Sequence, residues 1–205
     1  MAISRVYFRS PVHDFVKAFL ISDSLLYSAL NIVTVLFALF TTTKVKGGSI
    51  EAATYALSAS YVVRVFTELM MSRHISPRSE RGKVLTIVLG MLAISAGYLG
   101  FAFSHQVDPL YVWWIIAGFG WGLALPTKLA VVSLHINKEQ SNEEWSMNDA
   151  LNMSLIAVTT ALTGYLVSHF GIRPLFVVAA LLNLLGALPY ALYLRRISAV
   201  IAPAV

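Results

Sequence analysis

The chain has 205 residues, of which 58% are hydrophobic and only 12% are charged. Soluble domains carry about 25% charged residues, so this composition excludes a soluble protein and predicts an integral protein of the lipid bilayer. The chain has no cysteine, which excludes disulfides and thiolate sites. Its net charge of +5 comes mainly from basic residues between apolar segments, a pattern that indicates membrane topology and no nucleic-acid binding.

The predicted elements begin after a charged N-terminal segment, residues 1–17, which has no signal-peptide pattern. A membrane-spanning helix needs about 20 mostly apolar residues. Six segments qualify, at about 18–42, 52–72, 84–104, 110–134, 150–169 and 174–194, and residues 195–205 form a tail. Ahead of the fifth segment, Ser141 and Glu144 have the spacing of a capping box, which predicts a helix start. The sequence therefore predicts an all-α membrane protein with six transmembrane helices.

The orientation follows from the basic residues, because loops on the cytoplasmic side are enriched in Lys and Arg. If the N-terminus is cytoplasmic, only Lys44, Lys46 and Arg173 lie on the other side. The cytoplasmic side then holds Arg5, Arg9, Lys17, Arg73, Arg78, Arg81, Lys83, Lys138, Arg195 and Arg196. This asymmetry predicts cytoplasmic N- and C-termini in a plasma or inner membrane.

Four charged residues lie inside the predicted spans: Asp23, Arg64, Glu68 and Lys128. A helix rises about 1.5 Å per residue, which places all four within about 10 Å of mid-span and toward the cytoplasmic side. Arg64 and Glu68 have the i, i+4 spacing of a pair on one helix face. Two interpretations remain open. The charges form a satisfied network that locks helices together, or they line a polar pathway for substrate or ions.

Neutral polar residues also lie within the spans. Asn31, Asn152 and Asn183 are each predicted to form an interhelical hydrogen bond. Asn31 is the strongest of them as a pathway residue, because it shares the first span with Asp23 and lies eight residues, about two turns, from it.

The fourth span carries a different signal. Gly118 and Gly122 form a Gly-x-x-x-Gly pair that predicts close helix packing, and Pro126 is expected to bend the helix. Near the start of this span, Tyr111, Trp113 and Trp114 predict an aromatic belt at the membrane interface.

The chain has a polar first span, a basic loop after the second span, a glycine-rich fourth span with a downstream proline, and GYLVSHFGIRPLF between the fifth and sixth spans. In this order they resemble one six-helix half of a major facilitator superfamily transporter. The similarity covers about residues 18–194, and LISDSLLYSALN, KGGSIEAA and NEEWS make it closest to half-length members of six helices. Trp114 stands where the family has an arginine, and Ser72 and Ser76 replace the glycine and aspartate of its loop signature.

The resemblance implies a fold of two inverted three-helix repeats and a substrate site between two such halves. It implies that the basic residues after the second span, Arg73, Arg78, Arg81 and Lys83, take part in gating. A parallel homodimer would supply the second half. Asp23, Asn31, Arg64, Glu68 and Lys128 would then lie along the substrate or ion pathway.

The leading hypothesis is a secondary transporter of a small polar or charged solute that works by alternating access. The alternative is a non-transporting membrane module, or half of a hetero-oligomeric transporter. An enzyme is not expected, because the chain has neither a Gly-x-Ser-x-Gly elbow nor a His-Glu-x-x-His pattern. No catalytic residue, metal site or cofactor is predicted.

Overall fold

The computed structural model describes residues 11–75, 79–133 and 141–201, which form six α-helices and no strand. The six-helix architecture predicted from the apolar segments is confirmed. The helices are α1 (Pro11–Lys44), α2 (Ile50–Ile75), α3 (Glu80–Phe103), α4 (Val107–Val132), α5 (Ser141–Phe170) and α6 (Arg173–Ile201).

Two boundaries differ from the predicted spans in a way that matters for function. Helix α5 begins at Ser141, where the sequence predicts a helix start, and therefore includes residues ahead of the span predicted from 150. Helices α2 and α3 extend toward each other, so that Arg73, Arg81 and Lys83 lie on helices and not in a loop. Arg78 lies outside the described residues.

Local capping explains where the helices start and stop. The Ser49 and Ser79 hydroxyls accept hydrogen bonds from the Ala52 and Gly82 amides at the starts of α2 and α3, at 3.0 and 3.2 Å. Helix α5 ends at Gly171, which has φ +80° and donates its amide to the Val167 carbonyl. This left-handed cap favours glycine and turns the chain directly into α6.

The helices pack in a pattern that repeats within the chain. Helix α1 packs against α5 and α6, α4 packs against α2 and α3, and α3 packs against α6. Exchanging α1–α3 with α4–α6 reproduces these pairings, as expected of two related three-helix repeats. Helices α1 and α4 share few contacts along their length.

Polar contacts support the packing of α3 on α6. The Asn183 amide donates to the Met91 carbonyl and to the Ser95 hydroxyl, both at 2.7 Å. The predicted interhelical role of Asn183 is confirmed. An amide that satisfies partners on a neighbouring helix stabilises helix pairs in an apolar environment.

One end of the bundle is filled by an aromatic cluster, which consists of Phe37, Phe40, Phe101, Trp114 and Phe176. Trp114 lies with its ring centroid 5.0 Å from those of Phe37 and Phe101, and Phe40 meets Phe176 at the same distance. Trp114 is only 2% exposed. Its predicted place in an interfacial belt is therefore wrong, because the side chain turns inward and packs between α1 and α3.

Five of the six helices in the described ranges are long and apolar enough to cross a membrane, namely all except α2. Helix α2 has 26 residues, about 39 Å at 1.5 Å per residue, so its length is sufficient. Its mean hydropathy is lower than that of the other five helices, because Arg64, Glu68 and several small polar residues interrupt the apolar sequence. The helix that departs most from lipid compatibility thus carries two of the four charges.

Candidate functional site

The first group of functional side chains surrounds Asp23 on α1. Its Oδ1 accepts a hydrogen bond from Lys128 Nζ of α4 at 3.0 Å. Its Oδ2 accepts from the side-chain amides of Asn148 and Asn152 of α5, each at 3.1 Å. These four residues are called the Asp23 cluster below. The cluster joins three helices through one carboxylate.

The Asp23 cluster is closed to solvent. Lys128 is fully buried, and the Asp23 side chain is 6% exposed. The Lys128 ammonium lies 5.4 and 5.7 Å from the ring centroids of Phe19 and Tyr190, which cover it from α1 and α6. Neighbouring serines complete the arrangement. Ser22 Oγ lies 3.5 Å from Lys128 Nζ, and Ser24 donates to Asn152 Oδ1 at 2.8 Å.

Burial on this scale is tolerated because opposite charges compensate each other and both carboxylate oxygens are hydrogen-bonded. Removing either ion would leave the other uncompensated in a medium of low dielectric constant. In this conformation the cluster connects three helices, and its buried, hydrogen-bonded carboxylate is not accessible to a solute.

The second group is the Arg64–Glu68 pair on α2, which the i, i+4 spacing predicts and the structure contains. Arg64 Nε donates to Glu68 Oε1 at 2.7 Å. Both side chains are partly open, at 28% and 33% exposure. The pair therefore differs from the Asp23 cluster in access, although both consist of one acid and one base.

Trp121 of α4 links the Arg64–Glu68 pair to α1. Its indole lies under the Arg64 guanidinium, 5.4 Å from Cζ to the ring centroid, and its ring is 5.9 Å from that of Tyr27. Trp121 itself is 3% exposed. Trp121 therefore packs between Tyr27 of α1 and Arg64 of α2.

Asn31 lies eight residues, about two turns, beyond Asp23 on α1, and is rotated from it by about 80° around the helix. Its amide donates to the Thr160 hydroxyl of α5 at 2.6 Å, at an exposed position. The interhelical bond predicted for it is present. Asn31 does not belong to the Asp23 cluster. Asn152 does, and its predicted interhelical contacts are present in that cluster.

The glycines predicted for packing lie where α4 meets α2. A Cβ on Gly118 would collide with the Ser60 carbonyl, and one on Gly122 would collide with Thr67 and the Arg64 carbonyl. The backbones of α2 and α4 thus approach closely at both positions. Helix α4 continues through Pro126 to Val132, and Lys128 follows within its last turns.

The proposed gating residues lie apart from both groups where they are described. Arg73 is exposed in the last turn of α2, and Arg81 and Lys83 are in the first turn of α3. Beside them, the Tyr193 hydroxyl of α6 donates to Glu80 Oε1 at 2.6 Å. These basic residues share the end of the bundle with the Asp23 cluster but do not contact it.

Asn148 is the functional residue that the sequence analysis missed. It lies in the polar segment NEEWSMND, ahead of the predicted fifth span. The signal that could have found it is helical periodicity, because Asn148 and Asn152 are four residues apart and share a face once α5 is extended back to Ser141. Across the described residues, no group of three or more His, Asp or Glu side chains is placed to hold a metal ion.

Comparisons with known proteins agree with this architecture. The family model described as the Major Facilitator Superfamily matches residues 19–203. A solved structure with a similar fold is the in meso crystal structure of the POT family transporter PepTSo, with a TM-score of 0.73 and 16% sequence identity. The similarity covers 88% of this chain but 37% of that one. No curated protein sequence matches the chain.

Proposed function

The chain belongs to the Major Facilitator Superfamily, and on that premise we propose that it is a half-size secondary transporter. It moves a small polar or charged solute by alternating access, as a parallel homodimer. The observation that carries the proposal is the division of four intramembrane charges into a closed pair, Asp23–Lys128, and an open pair, Arg64–Glu68. Ionisable residues inside membrane segments mark substrate and ion pathways, or the contacts that close them.

A second six-helix half is required because substrate sites in this superfamily lie between two halves related by an axis along the membrane normal. The similar transporter structure is matched over 37% of its length, which leaves room for such a half. A second copy inserted in the same orientation can face the first around that axis. Helices α1, α2, α4 and α5 would then line the space between the copies.

In the proposed mechanism the Asp23 cluster is the lock at the cytoplasmic end, with both termini cytoplasmic. It holds α1, α4 and α5 together while the pathway is closed on that side. Protonation of Asp23, or transfer of Lys128 to another anion, removes the attraction and lets α5 separate from α1. The basic residues Arg73, Arg81 and Lys83 would supply further contacts at the same end.

The open pair would contact the solute. Arg64 and Glu68 lie on α2 beside Trp121, and Asn31 lies at about the same depth on α1, about 20 Å from the end of that helix. Asn31 is about two turns of α1 from Asp23. A solute bound at Arg64 and Glu68 can influence the Asp23 cluster through Trp121 and Tyr27, because Tyr27 lies about one turn from Asp23 on α1.

The alternative is that the chain pairs with a different six-helix partner or has a non-transporting role. Two measurements on the purified protein separate these cases. Native mass spectrometry in lipid nanodiscs should give a dominant species of two 22.5 kDa chains. A stable monomer would contradict the homodimer and direct the search to a partner chain.

The second measurement is solute uptake into proteoliposomes. Replacing Arg64 by Ala leaves Glu68 without its partner and should abolish uptake, whereas Lys44→Ala, at an exposed position in the last turn of α1, should leave it intact. Full uptake by the Arg64→Ala protein would remove the open pair from the mechanism.

A further inference from the structure

The Arg64–Glu68 pair has unused hydrogen-bonding capacity on both of its members. Only Nε of Arg64 and only Oε1 of Glu68 are joined, at 2.7 Å. Within the part of the chain that the structure describes, Nη1 and Nη2 of Arg64 and Oε2 of Glu68 have no hydrogen-bond partner. An arginine carries five N–H donors and a carboxylate can accept several hydrogen bonds, so most of the capacity of the pair is free.

The pair is also held in a fixed orientation. The bond from Nε anchors one edge of the guanidinium, and the Trp121 indole covers one of its faces at 5.4 Å. The free Nη edge is thus presented as a rigid fork, which is the geometry that binds a carboxylate through two parallel hydrogen bonds. Glu68 presents its free oxygen beside that fork, since the two residues already touch.

The charge balance restricts the ligand. Arg64 and Glu68 together are neutral, and so are Asp23 and Lys128. A ligand with a net charge would add an uncompensated charge to the membrane interior, which is costly. A ligand with one negative and one positive group close together adds none, and it complements both free edges of the pair.

We infer that Arg64 and Glu68 form a binding site for a small zwitterion whose carboxylate and ammonium groups are close together, as in an α-amino acid. The carboxylate binds the Nη edge of Arg64, and the ammonium binds Oε2 of Glu68. This inference rests on the proposed function, since it names the solute class of the same pathway.

The test is a binding measurement that does not depend on transport. Thermal unfolding of the purified protein in nanodiscs is recorded with each common L-amino acid. The best of them is then compared with its deaminated carboxylate and its decarboxylated amine. The expected result is stabilisation by the zwitterion at concentrations at which neither single-charge analogue has an effect. Arg64→Gln and Glu68→Gln should each weaken the binding by about tenfold or more, because each removes a charged hydrogen bond.

Matched controls are Lys44→Gln and Glu51→Gln, which change exposed charges at the ends of α1 and α2 and should leave binding unchanged. The inference is overturned if the carboxylate alone stabilises as well as the zwitterion, if glucose stabilises and no amino acid does, or if no amino acid stabilises. Proteoliposome uptake then separates the two proposals. Binding of the zwitterion without uptake would refute transport and keep the site, whereas uptake of a sugar or a simple anion would keep transport and refute the site.

Discussion

Helices α1 and α4 meet at both ends of the bundle, and the two contacts are of opposite kinds. At one end Phe37 of α1 packs edge-on against Trp114 of α4, inside the aromatic cluster. At the other end Asp23 of α1 binds Lys128 of α4. The same pair of helices is therefore held by aromatic packing at one end and by an ion pair at the other.

The difference indicates which of the two contacts a single chemical event can release. Aromatic packing is a sum of many weak contacts that no single chemical event removes. The Asp23 cluster depends on one carboxylate, and the transfer of a single proton or ion changes its energy. Helix α5 adds to the contrast, because only 11% of its membrane-spanning window is buried, against 61% for α3. Among the five helices compared, the one least buried in the protein is thus attached at the charged end.

The largest effect should come from removing the cation of the charged end. Lys128→Met leaves the Asp23 carboxylate buried without its counter-ion and should lower the free energy of unfolding by about 3–5 kcal/mol. Denaturant unfolding of the detergent-purified protein measures the change. The double variant Asp23→Asn with Lys128→Met removes both charges and should recover most of this loss. Equal losses in the single and double variants would mean that the ion pair is not what stabilises this end.

A smaller effect should distinguish the two amides of α5. Asn152→Ala removes a donor to Asp23 and the acceptor of Ser24, and should cost about 1–3 kcal/mol in the free energy of unfolding. Asn148→Ala removes one donor only, and should cost about 1 kcal/mol. The two variants serve as controls for each other in the same unfolding experiment. A reversed order would place the main attachment of α5 at Asn148.

The smallest overall effect is expected at the aromatic end, where stability should change slightly and uptake not at all. Phe101→Leu keeps an apolar side chain but loses the ring contacts of Phe101 with its neighbours, and should cost about 1 kcal/mol in the free energy of unfolding, as much as Asn148→Ala. Solute uptake should be unchanged, because the variant keeps this end apolar and alters neither charged pair. Uptake is measured in proteoliposomes beside the Lys128→Met variant at matched protein content. Loss of uptake by Phe101→Leu with an unchanged unfolding transition would mean that the aromatic end also moves.

Much of this fold could be predicted from the sequence, because the length and spacing of apolar segments are local properties. Six helices, a helix start at Ser141 and the Arg64–Glu68 pair all follow from patterns within a few turns of helix. Depth can also be estimated from the rise per residue, which places Asp23 and Lys128 at similar depths.

Which of the residues at that depth contact each other could not be predicted. Asp23 and Lys128 are 105 positions apart, and periodicity does not state which face of α4 meets α1. Asn148 was missed because a polar residue ahead of an apolar segment is typical of a loop. Trp114 was misplaced because a tryptophan near the start of a span fits both an interfacial belt and a buried core. These choices depend on tertiary packing, which the local sequence does not encode.

The polarity of α2 has a consequence for how the protein enters the membrane during synthesis. A segment with two charges and a lower mean hydropathy than the other five helices is expected to insert less readily by itself. The surface of α4 at Gly118 and Gly122 contacts Ser60, Arg64 and Thr67 of α2, and it is translated only after α2 and α3. We therefore expect stable insertion of α2 to depend on the later arrival of α4.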